Sequence, residues 1–277
     1  MNRLLFFILF CQSFVGYESR SQSDKTMPTS KQSAKPPLSP AYDSTIKTVH
    51  VLVALCDNKN QGIVPVPKAI GNGQNPNSNL YWGCDAGIRT YFKNSKEWTL
   101  VKKCRLDNIR LERLIFKHKT KKYYLVADAY DGQYIKQCTI DFLKSCSGQL
   151  KDTLHIDGAT IGINGNGKLI AYIGHDGLMD FNLQERFQNT DNRIRDAILL
   201  SCKSKKYFTP HLTATRSNPL VWTTGLMCPE AYTLHDALTG YIQNEPAESI
   251  RSKAAKAYAK NQRCSEKAAR NLLVTGY

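Results

Sequence analysis

The sequence lacks most of the short motifs that identify an enzyme class. It contains no GxSxG, no phosphate-binding P-loop and no HExxH, which removes the usual signals of a serine hydrolase, a P-loop nucleotidase and a zinc peptidase. None of its cysteines forms a CxxC pair, so neither a zinc ribbon nor a thioredoxin-type site is indicated. The glycine-rich stretch GNGQNP lacks the third glycine of a dinucleotide loop, and GINGNG lacks the carboxylates of a calcium loop.

Long hydrophobic runs are also scarce. Beyond the N-terminus, no run approaches the ~18 apolar residues that a membrane helix requires. The first residues, MNRLLFFILFCQSFVG, combine one positive charge with a short apolar run, which predicts a signal peptide at 1–18 and export to a periplasm or out of the cell. Lipid anchoring through Cys11 is the alternative, although Phe10 is a poor fit to the small residue expected before a lipidated cysteine.

The segment 19–45 has few large aliphatic residues and is rich in Ser, Pro and Lys. Such a composition cannot bury enough apolar surface to offset the entropy lost on ordering. We therefore predict a disordered tether at 19–45 and a folded domain at 46–277.

Acidic residues are few, and the formal net charge is +15. The basic residues are concentrated in two segments: 89–122 holds twelve Lys and Arg, and 251–270 holds seven. This pattern fits either a solvated basic face or attraction to an anionic partner, for example a polymer of the cell envelope. Basic residues do not alternate with aromatic ones as in a base-stacking surface, so no specific nucleic-acid motif is present.

Apolar runs that resemble buried strands alternate with segments of helical spacing. This order predicts an α/β fold, a three-layer sandwich around a mainly parallel sheet. The predicted strands are TVHVLVALCDN, WTLVKKC, KKYYLVADAYDG, the run that ends at His175, AILLSC and PLVWTTG. The predicted helices are LYWGCDAGIRTYF, QYIKQCTIDFLKSCSG, NLQERFQNTDNRIRDA, PEAYTLHDALTGYI and the alanine-rich C-terminal segment.

Two chemically reactive side chains, His175 and Cys202, follow consecutive predicted strands. In an open α/β sheet, reactive residues lie just beyond the carboxyl ends of the strands, so the imidazole and the thiol are expected at one edge. A nearby histidine activates a cysteine thiol by taking its proton and later protonates the leaving amine. The pair is the predicted catalytic dyad, and its chemistry needs no metal or cofactor.

Residues around the dyad complete the predicted site. Backbone N–H groups near Asp176, Gly177 and Cys202 are candidates for an oxyanion hole, because a glycine permits close approach of the substrate. Asp57, at the end of the first strand, and Lys203, directly after the cysteine, are candidate pocket residues.

The segments YIGHDG and LLSCKS place a histidine at the end of one strand and a cysteine at the end of the next. In this the chain resembles the caspase-like cysteine peptidases, the group that contains caspases, metacaspases, legumains and gingipains. The resemblance implies a caspase-like domain and an exported thiol protease that cleaves peptide bonds. Two positions depart from the family: Asp176 separates the histidine from Gly177, and Lys203 replaces the small residue after the cysteine.

These departures keep a second interpretation open. An inactive caspase-like protein would use its basic surface to bind an anionic partner in the envelope. A hydrolase acting on phosphoesters is a third interpretation, but the sequence does not display the carboxylate–histidine metal cluster that it requires.

Overall fold

The computed structural model describes residues 41–277. The predicted signal peptide and the tether up to residue 40 lie outside the described residues. In the last part of the predicted tether, 41–45, the Asp43 N–H donates to the Thr160 carbonyl at 2.9 Å.

The described residues form an eight-stranded sheet and a two-stranded hairpin. The strands are β1 (Lys47–Ala54), β2 (Trp98–Cys104), β3 (Arg110–His118), β4 (Tyr123–Tyr130), β5 (Lys151–Ile156), β6 (Ala159–Asn164), β7 (Leu169–Ile173), β8 (Asp196–Leu200), β9 (Asn218–Thr223) and β10 (Leu273–Val274).

The large sheet has the order β10-β9-β8-β7-β1-β4-β3-β2. Strands β9, β8, β7, β1 and β4 run parallel to one another. Strands β10 and β3 are antiparallel to their inner neighbours, and β2 is antiparallel to β3. The sheet is therefore mixed but mostly parallel, with its parallel strands at the centre.

Helices cover both faces of this sheet, which gives three layers. Helices α2 and α3 pack on one face, together with the β5–β6 hairpin, and α1, α4 and α5 pack on the other. Within residues 41–277, no helix is long and apolar enough to cross a membrane. The helices are α1 (Ile88–Lys93), α2 (Ile135–Ser147), α3 (Ser204–Thr215), α4 (Ala231–Ile242), α5 (Ala247–Gln262) and α6 (Glu266–Leu272).

The central strands form where the sequence is continuously apolar. Strands β4 and β7 are buried at every position, because helices or the hairpin cover both faces of the sheet. Helix α2 ends as predicted at Gly148, whose φ of 77° is the left-handed conformation that stops a helix.

Three local predictions were wrong or incomplete. Segment 182–197 is not helical, because its backbone bonds to neighbouring elements: the Thr190 N–H donates to the Ser147 carbonyl at 2.9 Å. In the predicted helix at 80–92, only the part from Ile88 onward is helical. Strand β3 and helix α3 were not predicted, since charged residues interrupt the first and Pro210 lies inside the second.

A buried ionic network joins the middle of the sheet. Arg113 on β3 donates two hydrogen bonds of 2.6 Å to Asp128 on β4. The Asn164 N–H donates to Nδ1 of His50, so His50 uses Nε2 to bond Asp128 at 3.1 Å. Burial alone would raise the pKa of Asp128, but the hydrogen bonds from Arg113 and His50 hold it well below its usual range.

We expect Asp128→Asn to lower the free energy of unfolding by about 3–5 kcal/mol, because it leaves the buried Arg113 guanidinium without its counter-charge. Urea unfolding at neutral pH measures this. The matched control is Asp107→Asn, which removes the partly exposed pair with Arg110 and should change the stability by less than about 1 kcal/mol. Equal losses of unfolding free energy in the two variants would contradict the assignment of Asp128 as the buried ion-pair partner of Arg113.

Candidate functional site

The two candidate catalytic residues lie side by side in the strand order. Strands β7 and β8 are parallel neighbours, and Ile173 pairs with Leu200 at their carboxyl ends. His175 and Cys202 each follow two residues later. The topology therefore brings both to one edge of the sheet, as the sequence spacing suggested.

Gly174 turns the chain out of β7 just before the histidine. Its φ of +143° lies in a region that side chains rarely adopt, and a Cβ there would lie 2.6 Å from the Ala54 carbonyl oxygen on β1. The histidine can leave the sheet at this point only because position 174 is a glycine.

The turn that carries Cys202 is fixed by polar contacts behind it. Ser204 and Thr223 share three hydrogen bonds: the Thr223 N–H donates to Ser204 Oγ at 2.9 Å, the Ser204 N–H donates to Thr223 Oγ1 at 3.1 Å, and the two hydroxyl oxygens lie 3.1 Å apart. Ser204 Oγ also bonds the Leu199 carbonyl at 3.2 Å. Lys203, which lies between Cys202 and Ser204, has a φ of 52°, in the left-handed region. The thiol is thus presented on a sharp turn between β8 and α3.

The imidazole of His175 is held by a carboxylate that was not predicted. Nε2 of His175 lies 2.8 Å from Oδ2 of Asp180, and the Gly62 N–H donates to the same oxygen at 2.9 Å. Since a carboxylate accepts hydrogen bonds, Nε2 carries the hydrogen and Nδ1 is left as the basic nitrogen. Nδ1 makes no hydrogen bond to any residue in the described part of the chain. A carboxylate five residues after the histidine was the only sequence signal for this contact.

The thiol of Cys202 is partly buried and bonds the backbone of residue 227. The Met227 N–H lies 3.4 Å from Sγ, and Sγ lies 3.5 Å from the Met227 carbonyl. Burial raises the pKa of the Cys202 thiol, with the Met227 N–H opposing this shift. Among residues 41–277, His175 makes no hydrogen bond to Sγ, so the two side chains do not form a resting ion pair.

Both side chains line one cavity of about 490 Å³ at the carboxyl edge of the sheet. The N–H groups of Asp176, Gly177 and Cys202 make no hydrogen bond to other described residues. Cys202 lines the cavity, so its N–H is available to a bound molecule, whereas Asp176 and Gly177 are buried and do not line the cavity. The site therefore combines a thiol, an oriented imidazole and one free backbone donor around a single cavity.

Two predicted pocket residues lie elsewhere. Asp57 is buried, and its carboxylate accepts from Asn60 and Gln74, each at 2.8 Å; it fixes the long loop after β1 and does not line the cavity. Burial alone would raise the pKa of Asp57, but these amide donors lower it. Lys203 does not line the cavity either, and its N–H donates to the Gly225 carbonyl at 2.7 Å.

Asp176 is a buried carboxyl group without a full set of partners. Its Oδ1 accepts from the Leu178 N–H at 3.1 Å, and its Oδ2 has no partner among the described residues. Burial raises the pKa of Asp176 to about 7, and the negative charge of Asp180 adds to the shift. The carboxyl group is therefore largely neutral in weakly acidic solution.

The eight cysteines in the described part are all free thiols. No group of three or more His, Cys, Asp and Glu side chains within residues 41–277 is arranged to hold a metal ion. Comparison with protein-family models finds no matching family, and searches of curated proteins and of solved structures find no match.

Asp176 makes the stability of the protein depend on pH. The unfolded chain ionises this group near pH ~4, whereas the folded protein does so near pH 7. Stability is therefore lost as the pH rises between these values. We expect Asp176→Asn to raise the free energy of unfolding at pH 8 by on the order of 2–4 kcal/mol, with little change at pH 4.

Urea unfolding of both proteins at the two pH values tests this prediction. Asp85→Asn is the control, because Asp85 is exposed and should show no such pH dependence. A stability difference between wild type and Asp176→Asn that is the same at pH 4 and pH 8 would rule out the assigned ionisation.

Proposed function

We propose that this protein is a cysteine peptidase of the caspase-like type. Cys202 is the nucleophile, His175 is the general acid and base, and Asp180 positions His175. The observation that carries the proposal is that His175 and Cys202 follow neighbouring parallel strands and line the same cavity. The sheet is mostly parallel and lies between two helical layers, which agrees with the α/β fold class that the resemblance implies. No compared protein supplies independent support.

In the proposed reaction, Sγ of Cys202 attacks the carbonyl carbon of a peptide bond while the thiol proton passes to Nδ1 of His175. The carbonyl oxygen becomes an oxyanion, which the N–H group of Cys202 stabilises. The C–N bond then breaks, and His175 gives its proton to the leaving amine. Water hydrolyses the thioester: His175 takes one water proton, hydroxide adds to the carbonyl carbon, the C–S bond breaks and the thiol is restored.

Because burial raises the pKa of Cys202, the thiol is neutral before substrate arrives. Proton transfer to His175 therefore belongs to the attack step and does not precede it. Asp180 keeps the hydrogen on Nε2 and stabilises the imidazolium that forms, so the free Nδ1 can act as the base.

A binding protein without activity is the second candidate, and the missing contact between His175 and Sγ favours it. Its binding surface would be the end of β3 and the turn that leads to β4, where four exposed lysines lie within six residues. This turn is at the amino end of β4, opposite the edge that carries Cys202. An anionic partner bound there would not touch the cavity. The four residues are Lys117, Lys119, Lys121 and Lys122.

Cys202→Ala should abolish hydrolysis of a pool of fluorogenic peptides, because it removes the nucleophile. Cys264→Ala is the matched control: Cys264 is an exposed thiol that does not line the cavity, and its loss should leave the rate unchanged. Initial rates across pH 5 to 9 measure both effects. The inactive interpretation holds if wild type hydrolyses no peptide in the pool. Activity retained in Cys202→Ala would overturn the assignment of Cys202 as the nucleophile.

Asp180→Asn removes the charge beside His175 while keeping the shape of the side chain. We expect kcat to fall roughly 10²-fold with KM nearly unchanged, since general acid–base catalysis contributes about 10²–10⁴-fold. Steady-state kinetics give both constants. Glu185→Gln, an exposed carboxylate in the same loop, should leave both constants unchanged. A rise in KM at constant kcat would mean that Asp180 shapes only the cavity wall.

A further inference from the structure

The cavity beside Cys202 has a predominantly apolar wall. Its lining includes Val64, Val66 and Ile70 from the loop after β1, together with Leu80 and the segment 226–230. A cavity of a few hundred Å³ with an apolar lining and few polar groups is typical of a site that binds an apolar group.

Exposed apolar side chains concentrate at the mouth of this cavity. Within residues 41–277, six large hydrophobic side chains are exposed, and three of them, Val64, Met179 and Leu226, line this one cavity. Leaving apolar surface in water is unfavourable unless a ligand covers it, so the grouping marks a surface that binds an apolar partner.

The only acidic side chain in the lining is Glu230, and the fold already uses its carboxylate. Oε2 of Glu230 accepts from the Tyr232 hydroxyl at 2.5 Å and from Nε2 of Gln262 at 2.9 Å. No lysine or arginine lines the cavity. An acidic substrate side chain would therefore lose its hydration without gaining a counter-charge, and a basic one would meet only the Glu230 carboxylate, whose Oε2 is already bonded within the fold.

We infer that the cavity binds a long apolar side chain, such as that of leucine, methionine or phenylalanine, at the residue whose carbonyl carbon Cys202 attacks. This inference rests on the proposed function, because the nucleophile defines which substrate residue lies in the cavity. Since Cys202 itself lines the cavity, the side chain adjacent to the attacked carbonyl is the one that enters. The occupant is a peptide segment of a substrate, and its apolar side chain covers Val64, Met179 and Leu226.

The test uses fluorogenic tetrapeptide amides that are identical except at the residue before the fluorophore. That residue is Leu, Met or Phe in one set and Asp, Asn, Lys or Arg in the other. We expect kcat/KM of the full chain to be at least about 10²-fold higher for the apolar set, because a hydrophobic pocket already discriminates single methylene groups by about 10- to 200-fold. Every rate is compared with that of Cys202→Ala.

Two variants test whether the preference for apolar residues arises in the cavity. Leu226→Glu adds a carboxylate at the rim and should lower kcat/KM for the Leu peptide at least about 10-fold, while raising that for the Lys and Arg peptides. Ile194→Glu is the matched control: Ile194 and Leu226 are both 67% exposed, but Ile194 does not line the cavity, and its rates should not change. Alkylation of Cys202 by iodoacetamide at the same rate in both variants shows that the site is folded.

The outcomes separate this inference from the proposed function. Cleavage that depends on Cys202 but prefers Asp, Asn, Lys or Arg would overturn the apolar assignment and leave the peptidase proposal intact. If the Lys and Arg peptides are the preferred ones, loss of their cleavage in Glu230→Gln would likewise overturn the apolar assignment and leave the peptidase proposal intact. Absence of any Cys202-dependent cleavage in either set would overturn both proposals.

Discussion

The site depends on the parallel pairing of β7 with β1 on one side and β8 on the other. In this register Ile173 lies opposite both Val53 and Leu200, so the three strands reach the edge of the sheet at the same level. A shift of one residue would turn the side chains of β7 to the opposite face and move the histidine away from the cysteine. The apolar side chains buried on both faces hold this register, and the chemistry at the edge follows from it.

Much of the sheet could be predicted because its central strands are continuous apolar runs. The positions of His175 and Cys202 followed from the same runs, since a strand end is visible in sequence. Strand β3 was missed because Arg113 is buried by its pairing with Asp128, a partner 15 residues away that periodicity cannot reveal. Helix α3 was missed because Pro210 breaks the local pattern, although Phe208 and Leu212 are buried four residues apart.

The surroundings of the dyad could not be predicted, because they depend on contacts between distant segments. The cavity wall is a loop rich in Asn, Gly and Pro, and its shape is set by amide side chains that clamp its backbone. Asn58, for example, bonds both the N–H and the carbonyl of Val66, at 2.9 and 2.7 Å. The Asn, Gly and Pro residues of this segment indicate a loop, but the sequence could not show that the polar residues fix the loop and leave the apolar ones to line a cavity.

One carboxylate oxygen links that loop to the histidine. Oδ2 of Asp180 accepts from the Gly62 N–H and from His175, and a Cβ at position 62 would lie 2.4 Å from Oδ1 of the same side chain. The Asp180 carboxylate therefore holds both the cavity wall, through Gly62, and the imidazole of His175. If His175 takes the thiol proton as proposed, a molecule that displaces the wall near residue 62 also displaces the imidazole. A poorly fitting substrate would then react more slowly as well as bind more weakly.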